Sequence, residues 1–359
     1  MGPIDQETRA ALRQVADKQA IANCLAMHSR GVDRADANLL GSTYHPEAEE
    51  AYGIRPASQF VAFVTQMQKG LPSTLHRTNQ MWIRVEGDTA RAESYVTAYV
   101  ETPGEGGNTQ RLIGGRYLDH LVRHEGEWRI ARRIYVMDWN MNWPSTAQWP
   151  DPPVSMAHFV PRGGHGAADA GRALLTQAAA RMTDKGGKAM SAHEIDVDID
   201  ALLSKQAIQE LIMAYARGVD RADKELLASI FHDDAVVVSG VINGSGKEFA
   251  EGICDYVQAN LQRCFHSVAN VWIEVKGDRA VGESYVIATS TVGDKETFTG
   301  GRYIDSYERR NGVWKISSRT FVLDWTSAGP STYESGGFYE GLTNLGCFGK
   351  EDPVYRFWG

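Results

Sequence analysis

Arg30-Gly31-Val32-Asp33-Arg34-Ala35-Asp36 recurs unchanged as Arg217-Gly218-Val219-Asp220-Arg221-Ala222-Asp223. The match spreads outwards from this stretch. Lys18-Gln19-Ala20-Ile21 precedes the first copy and Lys205-Gln206-Ala207-Ile208 the second, while Leu39-Leu40 and Leu226-Leu227 follow. Identity of this length at a constant offset marks a duplication, so the 359-residue chain is a tandem repeat of one unit. That length suits two domains of ordinary size.

Each copy predicts the same series of elements. In the second, Ile208, Leu211, Ile212, Tyr215 and Val219 form one apolar helical stripe. The matching helix of the first copy covers about residues 10–30, and Gly31 and Gly218 are expected to end these helices. Asp36 and Asp223 stand where a carboxylate can cap a short second helix. A short extended piece, clearest at 235–238, and a third helix (56–69 and 247–263) come next. Four strands then run in series, at 81–86, 90–100, 111–123 and 128–139, and again at 271–275, 280–289, 299–309 and 313–325. Their turns are Gly87-Asp88, Glu125-Gly126, Gly277-Asp278 and Asn311-Gly312. Helices followed by an antiparallel meander give an α+β fold, with the helices packed in a curved antiparallel sheet. Gly114-Gly115 and Gly300-Gly301 predict a bulge that curves each sheet.

The expected boundaries are 1–143 for the first domain, 144–196 for a linker with an Ala-rich helix, 197–326 for the second domain and 327–359 for a tail. The tail is Gly-rich yet holds Tyr333, Phe338, Tyr339, Phe348, Tyr355, Phe357 and Trp358. So many aromatics predict packing over the sheet or a pocket mouth. The linker is long enough to let the halves pack as an intramolecular pseudo-dimer, with further homo-oligomerisation left open.

With 43% hydrophobic and 23% charged residues, the composition is that of a globular protein. A net charge of −8 without a basic run argues against a nucleic-acid partner. No stretch is apolar enough to span a bilayer, no signal peptide opens the chain, and a cytoplasmic protein is expected. Cys24, Cys254, Cys264 and Cys347 occupy unmatched positions in the two copies and read as reduced and incidental.

The chemistry-bearing residues are also duplicated. His76 stands six residues before Trp82, and His266 six before Trp272, each just ahead of the first predicted strand. Arg133 follows Trp128 by five residues, as Arg319 follows Trp314. With Asp33 and Asp220, each half therefore holds an Asp, a His and an Arg. Singly, these have plainer readings: a helix cap, a core histidine, and a strand-face ion pair with Glu93 or Glu283. Together and twice, they suit proton abstraction. The imidazole is the base, the carboxylate orients it, and the arginine steadies an oxygen that leaves or gains charge. Trp82, Tyr95, Tyr117 and their partners Trp272, Tyr285 and Tyr303 alternate on strands, and several can line an aromatic pocket. His120 and His124 have no equivalent in the second copy and make a poor metal site. Neither metal nor cofactor is expected.

A helix ending in Asp-x-x-Asp, a His before a strand and Trp-x-x-x-x-Arg resemble the SnoaL-like branch of the nuclear-transport-factor-2-like superfamily. Hexachlorocyclohexane dehydrochlorinase and scytalone dehydratase are members of that superfamily. The resemblance covers about residues 10–143 and 197–326. It implies two cone-shaped α+β-barrel domains, each with a deep apolar pocket. It assigns the catalytic roles to Asp33, His76 and Arg133, and to Asp220, His266 and Arg319. The family's asparagine four residues after the histidine matches Asn270, where the first copy has Gln80. The dehydrochlorinase lysine five residues before the aspartate is replaced by His28 and Tyr215, which join the candidate substrate-binding residues.

The implied activity is a cofactor-independent lyase acting on a small hydrophobic, aromatic molecule. Dehydration, β-elimination and retro-aldol C–C cleavage such as formaldehyde loss all fit. An isomerase using the same dyad, or a non-catalytic ligand-binding or assembly module, are the alternatives. The second copy is expected to be the better catalyst, because Glu47, Glu49 and Glu50 fall where it has Val236 to Val238.

Overall fold

The computed structural model describes residues 5–48, 56–145, 165–166 and 192–358. The linker's Ala-rich helix and the first copy's counterpart of the 235–238 strand lie outside these residues. The first repeat runs α1 (Gln6–Asp33), α2 (Ala37–Ser42), α3 (Ala57–Lys69), β1 (Ser73–Glu86), β2 (Thr89–Thr102), β3 (Thr109–His124) and β4 (Glu127–Pro144). The second runs α4 (Ala192–Asp220), α5 (Lys224–Ser229), β5 (Phe231–Val238), β6 (Asn243–Ser245), α6 (Gly246–Asn260), β7 (Arg263–Lys276), β8 (Arg279–Val292), β9 (Lys295–Arg310) and β10 (Val313–Pro330). A tail with a short helix, α7 (Pro353–Trp358), ends the chain. The sheets are ordered β1-β2-β3-β4 and β6-β5-β10-β9-β8-β7, antiparallel except where β5 runs parallel to β10. This is the expected α+β architecture, two curved antiparallel sheets with helices packed on them.

The glycines of the repeated heptapeptide do not end the helices. α1 and α4 continue through Gly31 and Gly218 to Asp33 and Asp220. The stop is a Schellman motif with alanine in the left-handed position: Ala35 has φ 49° and Ala222 φ 52°. The N–H of Asp36 donates to the Gly31 carbonyl (2.9 Å), and that of Asp223 to Gly218 (2.8 Å). The glycines serve packing instead. A Cβ on Gly31 would lie 2.8 Å from the Leu40 backbone, so its absence lets α2 press onto α1. Asp36 and Asp223 cap α2 and α5 by accepting from the N–H of Leu39 and Leu226 (both 3.0 Å). That leaves Asp33 and Asp220, one helical turn earlier, to another task.

β1 and β7 begin well before the predicted strands, so His76 and His266 lie within strands. Both strands carry a bulge, between Thr78 and Met81 and between Ala269 and Trp272. The glycine pairs sit at bulges as expected. Gly115 faces Met137 while Gly114 faces Trp139, and Gly301 faces Leu323 while Gly300 faces Trp325.

The two repeats touch. The Gln80 amide donates to the His266 carbonyl (2.5 Å) and accepts from the Val268 N–H (3.0 Å). Gln80, which stands where the second copy has Asn270, thus joins β1 to β7. Phe265 packs between Tyr95 and Trp139 of the first repeat, with ring centroids 5.0 and 6.0 Å away.

Candidate active site

In each repeat the end of the long helix meets the first long strand. The Nδ1–H of His76 donates to Asp33 Oδ1 at 2.6 Å and its backbone N–H donates to Oδ2 at 2.7 Å. The Thr74 hydroxyl adds a third bond at 2.7 Å. In the second repeat His266 bonds Asp220 the same way, through Nδ1 at 2.6 Å and the backbone at 2.9 Å. Burial pushes both carboxyls up. The hydrogen bonds and charge of the partner histidine outweigh it and hold them below the ordinary 3.8. An ionised carboxylate only accepts, so Nδ1 carries a proton, and Nε2 is the nitrogen left to exchange one with a substrate.

Each histidine lines a cavity. The first repeat's measures about 370 Å³, with walls from Phe60, Val64, Ala98, Ile113, Tyr117 and Tyr135. The second repeat's is about 170 Å³ and includes Tyr215, Phe249, Ile253, Tyr303 and Phe321. Burial keeps the Tyr135, Tyr215 and Tyr303 hydroxyls protonated by raising them above their ordinary range. They are therefore hydrogen-bond donors.

The arginines are placed otherwise than expected. Arg133 and Arg319 are buried and line neither cavity. Each forks onto an aspartate that the sequence reading did not single out. Arg133 forks onto Asp119 at 2.6 and 2.8 Å, and Arg319 onto Asp305 at 2.8 and 2.6 Å. Each guanidinium lies against tyrosine rings that do line a cavity. Arg133 is 3.9 Å from the Tyr117 centroid, while Arg319 is 3.9 Å from that of Tyr215 and 4.3 Å from that of Tyr303. The arginines thus stand behind a tyrosine wall. Asp119 and Asp305 went unnoticed in the sequence, although Arg-Tyr-Leu-Asp and Arg-Tyr-Ile-Asp repeat there.

The other candidates divide. Tyr117, Tyr215 and Tyr303 line the cavities. His28 is buried behind the first, its Nε2 3.0 Å from the Tyr44 hydroxyl and its ring stacked on Phe60. Burial, with the charges of Arg133 and His76, lowers it well below the usual imidazole value, so it stays neutral. Trp82 lines neither of these cavities and lies instead against Arg217 (4.9 Å) and Trp358 (5.9 Å). Tyr95 belongs to the contact between the repeats, and Tyr285 is 46% exposed. The side chains of Asn270 and Trp272 lie outside the described residues.

Among the described residues, Asp220, Cys264 and His266 form one group with metal-ligand spacing, their ligand atoms within 4.8 Å of one another. Nothing in the spacing points to it, since Asp220 is remote in the chain from the other two. The donor set fits a metal poorly. Burial and the neighbouring Asp220 push the Cys264 thiol well above its ordinary range, so it keeps its proton. Half one has Thr74 in its place, a weak ligand for a soft metal. What both repeats share is the Asp-His pair, and that suits proton transfer.

Asp33, Asp220 and the tail residue Asp352 are all held below 3.8, so acid should unfold the chain. As pH falls from the ordinary carboxylate value towards the depressed ones, the unfolded state binds protons that the native state does not. The melting temperature is expected to be flat above about pH 5 and to fall steadily below about pH 4. A flat profile to pH 2 would show that these carboxylates contribute nothing to the fold.

The SnoaL-like domain model matches residues 13–134 and 200–320. Gamma-hexachlorocyclohexane dehydrochlorinase of Sphingobium indicum is 32% identical over 133 residues, covering 36% of this chain and 85% of that protein. Hexachlorocyclohexane dehydrochlorinase 1 of the same species is also 32% identical, covering 36% and 86%. A solved type-3 hexachlorocyclohexane dehydrochlorinase from Novosphingobium barchaimii is 30% identical, covering 37% of this chain and 93% of that one, with a TM-score of 0.35. Among the described residues, no helix is long and apolar enough to cross a membrane.

Proposed function

From the premise that the chain belongs to the SnoaL-like domain family, we propose that it is a lyase whose principal site lies in the first repeat. Its relatives are named for hydrogen chloride elimination, a reaction that begins with proton abstraction. The observation that carries the reading is the Asp33-His76 pair facing a 370 Å³ apolar cavity. That volume lies within the range of small-molecule sites, roughly 300–1,000 Å³, whereas the second cavity falls below it. Glu47, which favoured the second repeat, is exposed, and Glu49 and Glu50 lie outside the described residues.

His76 Nε2 takes a proton, from carbon when water is eliminated or from the hydroxyl of the carbon that departs when a C–C bond breaks, and Asp33 stabilises the imidazolium. The leaving group departs on the tyrosine side, where Tyr135 and Tyr117 line the wall. Chloride leaves without a proton, but an oxygen leaving group needs one. No lysine stands five residues before either aspartate, and the wall offers phenolic donors instead. The arrangement therefore favours loss of water, or C–C cleavage that leaves an oxygen-stabilised fragment, from a flat aromatic molecule. Arg133 acts through Tyr117, holding its ring in place.

Purified chain incubated with aryl alcohols, diaryl propanediols and γ-hexachlorocyclohexane, without added cofactor, tests this. Alkene or formaldehyde is expected from the oxygenated compounds, at a rate unchanged after treatment with a chelator. Inactivation by chelator with recovery on adding zinc, or chloride release alone, would overturn it.

A further inference from the structure

We propose that the C-terminal tail serves both repeats at once: it closes the first repeat's cavity and, through Asp352, positions the second repeat's dyad. The first half rests on reading that cavity as the ligand site.

The tail leaves β10 and crosses onto the first repeat. The Asn142 N–H donates to the Thr332 hydroxyl (2.9 Å), and Asn140 donates its amide to the Glu334 carbonyl (2.7 Å). The buried Tyr339 donates its hydroxyl to Asn142 Oδ1 at 2.8 Å. These bonds set Phe338, Gly341 and Leu342 into the cavity wall, so a segment that follows the second repeat completes the apolar pocket of the first. The tail then pairs with the β4 edge: the Met137 N–H donates to Asn344 (2.9 Å) and the Gly346 N–H to Met137 (2.8 Å). At Gly346 a Cβ would lie 1.7 Å from Asp138 Oδ1, so only glycine passes there.

Beyond this point the tail is fixed by charge. Asp352 is fully buried. It accepts from Arg116 Nη1 and Nη2 (2.8 and 2.7 Å) and from Arg221 Nη1 (3.1 Å). Asp138 shares both arginines. Asp352 and Asp138 thus face two buried guanidiniums, one from each repeat, and the buried Glu93 lies 3.6 Å from the first of them, Arg116. Removal of any member strands a charge in a medium that solvates it badly.

Arg221 directly follows the dyad's Asp220. Its Nη2 donates to the Cys264 carbonyl (3.2 Å), two residues before His266. Asp352 therefore fixes a guanidinium that in turn holds the start of β7. There the His266 N–H and Nδ1–H both meet Asp220. Asp352 lines neither of the two histidine cavities and is a positioning residue for the second site, while Phe338 and Leu342 determine what the first site accepts.

Hydrogen exchange and binding of 8-anilinonaphthalene-1-sulfonate, a fused-ring aromatic probe, test this on the full chain. Neither readout needs turnover, so the outcome is separate from that of the lyase reading. Asp352→Asn is expected to speed exchange of the amides of 337–346 and of His266 at least 10-fold and to weaken probe binding at least 5-fold. Asp352→Glu should restore part of both. Phe338→Ala should weaken probe binding and leave the His266 amide unchanged. If Asp352→Asn fails to fold, Arg221→Lys, which keeps a charge but loses the fork, should still speed His266 exchange. Fast exchange in the tail with an unchanged His266 amide would refute the dual role. Unchanged exchange in both would remove Asp352 as the anchor.

Discussion

His76→Ala is expected to slow turnover about 10²- to 10⁴-fold in a chain that still folds, with a lowered melting temperature because buried Asp33 loses its imidazole partner. Among the described residues the imidazole bonds Asp33 through Nδ1, and Asp33 keeps the Thr74 hydroxyl and the residue-76 backbone N–H when the ring is removed. The loss is therefore chemical. Asp33→Asn should approach the same deficit, because an amide no longer fixes the tautomer that leaves Nε2 free. In serine proteases the equivalent change costs roughly 10⁴. His266→Ala should retain more than half the activity, since its cavity of about 170 Å³ is less than half the size of the first. Equal partial losses from the two substitutions would show two equivalent sites. The reverse order would move the principal site to the second repeat.

The pairing of Asp33 with His76 and of Asp220 with His266 was legible because the duplication displays each residue twice at fixed distance from shared landmarks. The faces of the strands were not. His76 and Trp82 are six apart, which in a regular strand puts them on one side. The bulge between Thr78 and Met81 inserts a residue and reverses that parity, so Trp82 turns away from the cavity towards Arg217 and Trp358. Trp272 follows the same bulged register against β8. Tyr95 misleads for a related reason. His76 pairs with Ala98, so the cavity face of β2 carries Val96, Ala98 and Val100, and Tyr95 must point to the other side. Register between strands decides these cases, and no single strand reveals it. The helix ends erred differently. A glycine near a C-terminus invites the left-handed reading, but Ala35 and Ala222 take that conformation while the glycines relieve a clash with the next helix.

Removing the Asp119 carboxylate should weaken the fold strongly. Arg133 is 1% exposed and bonds Asp119 through both Nε and Nη2. Asp119→Ala leaves that guanidinium in the interior without its carboxylate, at a cost of about 3–5 kcal/mol. Urea unfolding should show a midpoint lowered accordingly, with the slope unchanged. The double change Asp119→Leu with Arg133→Met takes out both charges and fills the space with apolar atoms. Such replacements are often close to neutral, so the double variant is expected to be more stable than Asp119→Ala alone. Activity should not follow stability. The Arg133 guanidinium lies 3.9 Å from the Tyr117 ring centroid, and Met provides no cation to hold that ring. A well-folded double variant with a kcat reduced at least 10-fold would separate the two roles of the pair. If the double variant is as unstable as the single, the pair contributes by shape and not by mutual neutralisation. If it keeps full kcat, Arg133 has no part in the chemistry.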